Sequence, residues 1–190
     1  EIGNAKGNTV TISDESNVII VAGGYSGNGN AEGNVVTITG SSEVGNVYGG
    51  YSENKNAKAN TVIINGGNID NVDGGFGADA EGNTVILNGG KTSLVYGGSS
   101  EESIGTGNTV RIYGGKHNIV VGGVGDIKVQ GNEVVISIAA DEDSVGDVYG
   151  GLTIAREDED YSLFKDNVVT WKEGKIEGDI YGGGWKGWTQ

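Results

Sequence analysis

Two short anchors alternate seven times along the chain. One is an Asn that usually follows a Gly, and the other is a pair of adjacent glycines; successive copies of either are 23 to 35 residues apart. A repeat of this length is typical of solenoids, propellers and related arrays, so it constrains the fold more than any other feature. The Asn anchors are Asn8, Asn34, Asn60, Asn83, Asn108, Asn132 and Asn167, and the glycine pairs begin at Gly23, Gly49, Gly74, Gly97, Gly122, Gly150 and Gly182.

The residues after each Asn predict a strand, which we name the first strand. The second residue after the Asn is always Val and the fourth is Ile, Leu or Trp, whereas the residue between them varies. Alternation with one strictly apolar face is typical of a half-buried strand. We therefore expect two inward rows: Val10, Val36, Val62, Val85, Val110, Val134, Val169; and Ile12, Ile38, Ile64, Leu87, Ile112, Ile136, Trp171.

The residues before each glycine pair predict a second strand. The residue two places before the pair is always Val or Ile, so we expect it to point inward. The residue directly before the pair varies and is predicted to point outward: Ala22, Tyr48, Asp73, Tyr96, Val121, Tyr149, Tyr181. The strand should end at the glycines, which suit a sharp corner with φ > 0 or a bulge.

A third inward position lies three residues before each Asn. It is small in the first five units and larger in the last two, which predicts an interior that widens toward the C-terminus, where Trp171 also replaces Ile. The sixth unit carries an insertion at residues 152–166. The third row is Ala5, Ala31, Ala57, Ala80, Gly105, Val129 and Phe164.

One unit is too short to bury a core of its own, so neighbouring units must stack. Stacking places Val on Val and Asn on Asn about 4.8 Å apart, where Asn side chains can hydrogen-bond along the stack. We predict an all-β chain, residues 1–190, that forms one parallel β-solenoid (β-helix) of about seven coils. A β-prism or a propeller-like array of hairpins is the alternative. Because the pattern is cut at both ends, we expect a fragment of a longer array.

Composition removes several function classes. The formal net charge of −14 argues against binding nucleic acid, which needs Lys and Arg, and against adsorption on anionic lipid. There is no Cys and therefore no thiolate zinc site. There is no apolar run of transmembrane length, so no membrane insertion by this segment is expected. We expect no cofactor and no metal site.

Few residues suggest catalysis. His117, the only histidine, has no Ser or Cys partner pattern and is predicted to be a solvated loop residue. The acidic runs Asp141–Asp143 and Glu157–Asp160 could supply oxygen ligands to Ca²⁺, but solvated loops explain them better. They also match poorly the paired carboxylates of a glycosidase. We therefore predict that the chain is not an enzyme.

The candidate binding residues are Tyr48, Tyr96, Tyr149 and Tyr181, which share the outward position of the second strand. In a stacked fold they would line one face, interrupted by Ala22, Asp73 and Val121. Aromatic rings on such a face can bind a glycan or a partner protein, although Tyr also suits any exposed strand.

The unit Gly-Asn-x-Val-x-Ile-x-Gly-Gly, followed by Val-Tyr-Gly-Gly-x-Ser, is clearest at residues 82–99 and close at 34–52. It resembles repeats in the passenger regions of autotransporter-type adhesins of Gram-negative bacteria. The resemblance implies a secreted or cell-surface structural protein that binds a host or bacterial partner, with no catalytic residue to transfer. There are two alternatives. One is a self-assembling extracellular fibre or matrix module that is joined through open coil ends, and the other is a carbohydrate-active β-helix enzyme.

Overall fold

The computed structural model describes residues 3–100, 103–153 and 164–185, which form a stack of short strands in parallel sheets with no helix among those residues.

 Three long sheets run the length of the stack, and every strand pairs in parallel with the equivalent strand of the next coil. The stack makes about six turns, so the parallel β-solenoid is confirmed and the hairpin alternative is wrong. No element among the described residues is a helix that could cross a membrane.

Sheet I contains the third inward row. Ala5, Ala31, Ala57, Ala80, Gly105, Val129 and Phe164 are in register along it, as predicted. Its strands are β1 (Ala5–Lys6), β4 (Ala31–Glu32), β7 (Ala57–Lys58), β10 (Asp79–Glu81), β13 (Ile104–Thr106), β17 (Lys128–Gln130) and β21 (Phe164–Lys165).

Sheet II is formed by the first strands of the units. Its two inward rows are fully buried from Val36 to Ile136, because the neighbouring coils cover them on both sides. Its strands are β2 (Thr9–Ile12), β5 (Val35–Ile38), β8 (Thr61–Ile64), β11 (Thr84–Leu87), β14 (Thr109–Ile112), β18 (Glu133–Ser137) and β22 (Val168–Glu173).

Sheet III is formed by the second strands, and a short sheet IV follows the glycine pairs of the last coils. Sheet III contains β3 (Asn17–Ser26), β6 (Glu43–Ser52), β9 (Asn68–Asp73), β12 (Lys91–Tyr96), β15 (Lys116–Val121), β19 (Ser144–Tyr149), β23 (Lys175–Ile176) and β24 (Ile180–Tyr181). Sheet IV contains β16 (Val124–Gly125), β20 (Leu152–Thr153) and β25 (Gly184–Trp185).

The Asn anchors form the predicted ladder inside the stack. The Asn60 backbone N–H and Nδ2 both donate to Asn83 Oδ1, each at 3.0 Å. Asn60 Nδ2 also donates to the Ala31 carbonyl at 2.9 Å, which ties the corner to sheet I. The same arrangement recurs from Asn8 to Asn167, so each coil is hydrogen-bonded to the next through side chains as well as through its strands.

The positive-φ glycines lie at two corners and not at the glycine pairs: five directly precede Asn anchors, and five lie in the connections between sheets II and III. Gly33, Gly82 and their equivalents have φ near +62° at the corner between sheets I and II. The glycine pairs have ordinary φ, and β3 and β6 continue through them. The expectation of a positive-φ corner at the pairs was therefore wrong; close packing is what requires glycine there.

The last coil differs from the prediction of a wider interior. Trp171 is in register with Ile136, but the register shifts directly after Ile136 and Trp171 is 55% exposed. Its indole N–H donates to the Gly174 carbonyl at 3.1 Å. The ends of the predicted insertion, at Leu152–Thr153 and Phe164–Lys165, are strands of the stack, and Glu157–Asp160 lie outside the described residues.

Candidate functional site: a groove over the glycine pairs

The glycine pairs bring the backbone directly onto the Asn ladder. A Cβ added to Gly50 would lie 2.5 Å from Asn60 Nδ2, and one added to Gly49 would lie 2.3 Å from the Gly74 carbonyl oxygen of the next coil. Equivalent contacts recur at each pair from Gly23 to Gly150. No side chain fits on this inner side of the pairs, and their outer side carries none; we call this strip of bare backbone the floor, and the floor together with the two side-chain rows beside it the groove.

Two rows of side chains flank this floor. The row before the pairs was predicted from the sequence, and the register confirms that its members are neighbours. The second row directly follows the pairs and was missed, although its constant position after Gly-Gly could have revealed it. It consists of Tyr25, Tyr51, Phe76, Ser99, Val124, Leu152 and Gly184.

The N-terminal part of the groove holds an aromatic cluster. Tyr51 is stacked between Tyr25 and Phe76, with ring centroids 5.6 and 5.0 Å away. Tyr48, from the opposite row, meets Tyr51 edge-on at 5.0 Å and Phe76 at 6.2 Å. Because the rings of Tyr25 and Phe76 cover both faces of the Tyr51 ring, Tyr48 contacts the edge of that ring. The cluster ends at Tyr25, which is 60% exposed and whose hydroxyl donates to Glu53.

Asp73 occupies the middle of the groove and is only 4% exposed, so the prediction that it points into solvent was wrong. Its carboxyl accepts hydrogen bonds from the Ser99 hydroxyl and from the Gly75 N–H at 2.9 Å. Burial raises its pKa to about 7, and these hydrogen bonds oppose the rise. Burial, followed by the Asp73 charge, also raises the pKa of Tyr96.

The C-terminal part of the groove is aliphatic at its base. Val121 was predicted to face solvent but is fully buried, because it packs with Val124 and Leu152 in a small second cluster. Tyr96 and Tyr149 pack against this cluster from its edge. The ring of Tyr149 is stacked on that of Tyr181 at 5.0 Å.

The four predicted binding residues therefore share one row but not one environment. Tyr48 belongs to the aromatic cluster, Tyr96 borders Asp73, and Tyr149 and Tyr181 form a stacked pair. Tyr181 is 42% exposed, and its hydroxyl donates to Asp179 at 3.2 Å. The buried Asp73 and Val121 divide the row: Tyr48 lies before Asp73, Tyr96 lies between Asp73 and Val121, and the stacked Tyr149–Tyr181 pair lies after Val121.

His117 is not a loop residue: it lies in β15 and is 2% exposed. It takes an inward position where neighbouring coils have Thr92 and Val145. Its Nε2 donates to the Gly114 carbonyl at 2.8 Å, which leaves Nδ1 to accept from the Thr92 hydroxyl at 3.0 Å. Burial is the main cause that lowers its pKa. Sequence reasoning missed this because it took the glycines before His117 to mean a loop.

The acidic run Asp141–Asp143 lies in the connection before β19 and is mostly exposed. Within the described ranges, no three acidic or histidine side chains are grouped so that they could hold a metal ion.

The chain matches no protein-family model, no curated protein and no solved structure.

Proposed function

We propose that this chain is a non-catalytic, surface-displayed structural and adhesive β-solenoid that binds a glycan or protein on a host or bacterial surface through the groove over the glycine pairs. The observation that supports this most is the aromatic cluster. Four aromatic side chains from two rows meet in the N-terminal part of the groove, and the Tyr25 end is exposed. Partly buried, partly solvent-exposed tyrosines are favourable contact residues, since they offer a large rigid surface and a hydroxyl group.

The architecture supports a binding role in a second way. The coils are joined by ladders of Asn side chains and by parallel strands from end to end. Side chains on such a rigid scaffold are held in a fixed order, so an extended partner can contact several coils at once. The side chains of the groove do not have to become ordered when the partner binds, which lowers the cost of binding. Secretion or display at the bacterial surface is part of the proposal and comes from the repeat resemblance.

A glycan array and whole bacterial or host cells are the probes for this proposal. We expect binding to at least one of them, and we expect Tyr48→Ala and Tyr51→Ala to weaken it strongly. Tyr25→Ala removes an exposed ring at the end of the cluster and should weaken binding with little effect on folding. Tyr113→Ala is the matched control, because Tyr113 is 47% exposed but does not belong to either row of the groove.

Thermal unfolding of each variant separates loss of binding from loss of folding. Binding that survives all three groove substitutions in folded protein would contradict the proposal. Binding lost equally in Tyr113→Ala would also place the contact surface elsewhere.

A further inference from the structure

Asn-Gly dipeptides bring the two partners of a spontaneous reaction together in one stretch of chain. The Asn side chain supplies an amide carbon, and the following Gly supplies a backbone nitrogen that no Cβ shields. Because these groups belong to neighbouring residues, the attack of one on the other is intramolecular. The chain contains three such dipeptides: Asn28-Gly29, Asn65-Gly66 and Asn88-Gly89.

The corners between sheets II and III leave two of the three glycine nitrogens free. Residues 65–67 connect β8 to β9, and residues 88–90 connect β11 to β12. The Asn side chain is exposed at both corners. Among the described residues, neither the Gly66 N–H nor the Gly89 N–H has a hydrogen-bond acceptor. No hydrogen bond therefore has to break before either nitrogen reacts.

The third dipeptide is held in place by a buried hydroxyl group. Gly29 is buried, and its N–H donates to Ser26 Oγ at 2.8 Å. Ser26 Oγ in turn donates to the Gly3 carbonyl at 2.6 Å, and a Cβ on Gly29 would lie 2.5 Å from that carbonyl oxygen. The Gly29 nitrogen must give up a buried hydrogen bond before it reacts, which slows the reaction by about tenfold or more.

We propose that Asn65 and Asn88 are sites of spontaneous deamidation. The Gly nitrogen loses its proton and forms a bond to the Asn Cγ, the bond from Cγ to Nδ2 breaks, and Nδ2 leaves with a proton as ammonia. Water then opens the cyclic succinimide at either carbonyl, which gives Asp or isoaspartate. The only co-reactant is water. Each event turns a neutral side chain into a carboxylate, so this corner of the stack becomes more acidic as the protein ages.

A hydrogen bond between the two side chains makes Asn65 the faster site. Asn88 Nδ2 donates to Asn65 Oδ1 at 2.8 Å. Negative charge develops on Asn65 Oδ1 when the Gly66 nitrogen attacks, and a donor that already points at this oxygen stabilises that charge. Asn88 Oδ1 accepts no hydrogen bond within the described part of the chain, so its reaction has no such support.

Peptide mass spectrometry of folded protein incubated at mildly alkaline pH tests the proposal. We expect conversion at Asn65 first and at Asn88 next, with conversion at Asn28 about tenfold slower than at Asn65 or more. The chain unfolded in urea is the reference, and its three rates should be similar because no nitrogen is held there. Folded protein in which Asn28 reacts as fast as Asn65, or in which Asn65 does not react, overturns the proposal.

Ser26→Ala tests the protection of the third dipeptide. It removes the acceptor of the Gly29 N–H, so it should raise the rate at Asn28 by about tenfold. Ser100→Ala is the matched control, because Ser100 Oγ makes the equivalent two hydrogen bonds in another coil and its loss should leave Asn28 unchanged. Circular dichroism checks that both variants are folded. Equal rates at Asn28 in the two variants would contradict protection by the hydrogen bond.

Asn88→Ala tests the difference between the two reactive sites. It removes the donor to Asn65 Oδ1 and should slow deamidation of Asn65 by about threefold or more, with no change at Asn28. An Asn65 rate that is unchanged or higher in this variant would contradict the role of the donor.

Discussion

At the residue scale, the protein can bury polar side chains in its interior because each of them has hydrogen-bond partners within the stack. Asn83 is fully buried and takes part in hydrogen bonds to coils on both sides. Asp73 and His117 are also buried and hydrogen-bonded. Across the described residues no buried side-chain nitrogen or oxygen lacks a partner, so removing any of these groups leaves others unsatisfied.

Asn83→Ala is expected to destabilise the protein by about 3 kcal/mol or more, because each buried polar group left unpaired costs about 1–3 kcal/mol. The substitution removes the acceptor of the Asn60 N–H and of one of the two Asn60 Nδ2 hydrogens, and it removes the hydrogen bond that Asn83 Nδ2 donates to Ala57 O. Urea unfolding measures the change. Asn88→Ala is the control: Asn88 is exposed and its side chain bonds only Asn65. Equal effects of the two substitutions would contradict a structural role for the ladder.

Asp73→Asn is expected to change how stability depends on pH. The folded pKa of Asp73 is about 7 against an ordinary pKa of 3.8 for Asp, so between these values the unfolded chain loses a proton that the folded chain keeps. Stability therefore falls as pH rises through this range, by as much as about 4 kcal/mol at 1.36 kcal/mol per pKa unit. Asn can still accept from the Gly75 N–H through Oδ1, while its Nδ2 takes the place of Asp73 Oδ2 and can donate to the Ser99 hydroxyl oxygen. The substitution removes the titrating group and with it this loss.

The test is the unfolding free energy of parent and variant at pH 4 and pH 8. Asp73→Asn should be close to the parent at pH 4 and more stable at pH 8. Asp70→Asn, at an exposed position of the same strand β9, controls for the loss of one negative charge. A difference between Asp73→Asn and parent that does not change with pH would count against a buried, protonated carboxyl.

At the element scale, the glycines of each repeat have different roles. Those before the Asn anchors turn the chain with positive φ, and those of the glycine pairs let the backbone lie on the Asn ladder. Both kinds of glycine belong to the same sequence repeat, so the sequence pattern alone does not show which role a given glycine has. Their roles depend on contacts between coils, which only the folded stack defines.

The corner between sheets I and II offers a direct comparison. Ala59 has φ +53° where five other coils have Gly and the last has Asp166, and left-handed backbone costs a residue with a Cβ about 1 kcal/mol or more. Ala59→Gly should therefore stabilise the protein by a few tenths to about 1 kcal/mol, since the gain is offset in part by the flexibility of Gly in the unfolded chain. Gly82→Ala at the equivalent corner should destabilise it by about 1 kcal/mol.

Thermal and urea unfolding of the two variants check this. A Cβ on Gly82 would meet no atom within 4 Å, so backbone strain alone sets its effect. If Gly82→Ala were neutral or stabilising, φ could not be the reason for Gly at this corner.

The sequence predicts the strands better than it predicts the groove. The inward rows and the Asn ladder follow from alternation and period, and the structure confirms them from Val36 to Ile136. Alternation also placed Asp73 and Val121, but incorrectly, because it assigns a side chain to one side of a sheet and does not show what covers that side. His117 was missed for another reason: the glycines before it were taken to mean a loop. Trp171 differs for a related reason: a residue at an inward position is buried only where the register to its neighbour is kept.

At the scale of the whole molecule, the groove exists only because equivalent residues of successive coils lie side by side. The register pairs Val35 with Thr61 and Thr61 with Thr84. Neighbouring outward residues are therefore about 4.8 Å apart, and residues two coils apart are about twice that distance. A disulfide requires Cα atoms about 4.4–6.8 Å apart, so it can join adjacent coils and not alternate ones.

Disulfide cross-linking in this cysteine-free chain tests the stacking most directly. The account predicts that the pairs Val35→Cys with Thr61→Cys, and Thr61→Cys with Thr84→Cys, form intramolecular disulfides under mild oxidation, whereas Val35→Cys with Thr84→Cys does not. Mass spectrometry of the oxidised, digested protein identifies each bond. Efficient cross-linking of the Val35 and Thr84 positions, or none between adjacent coils in folded protein, would contradict the in-register parallel stack.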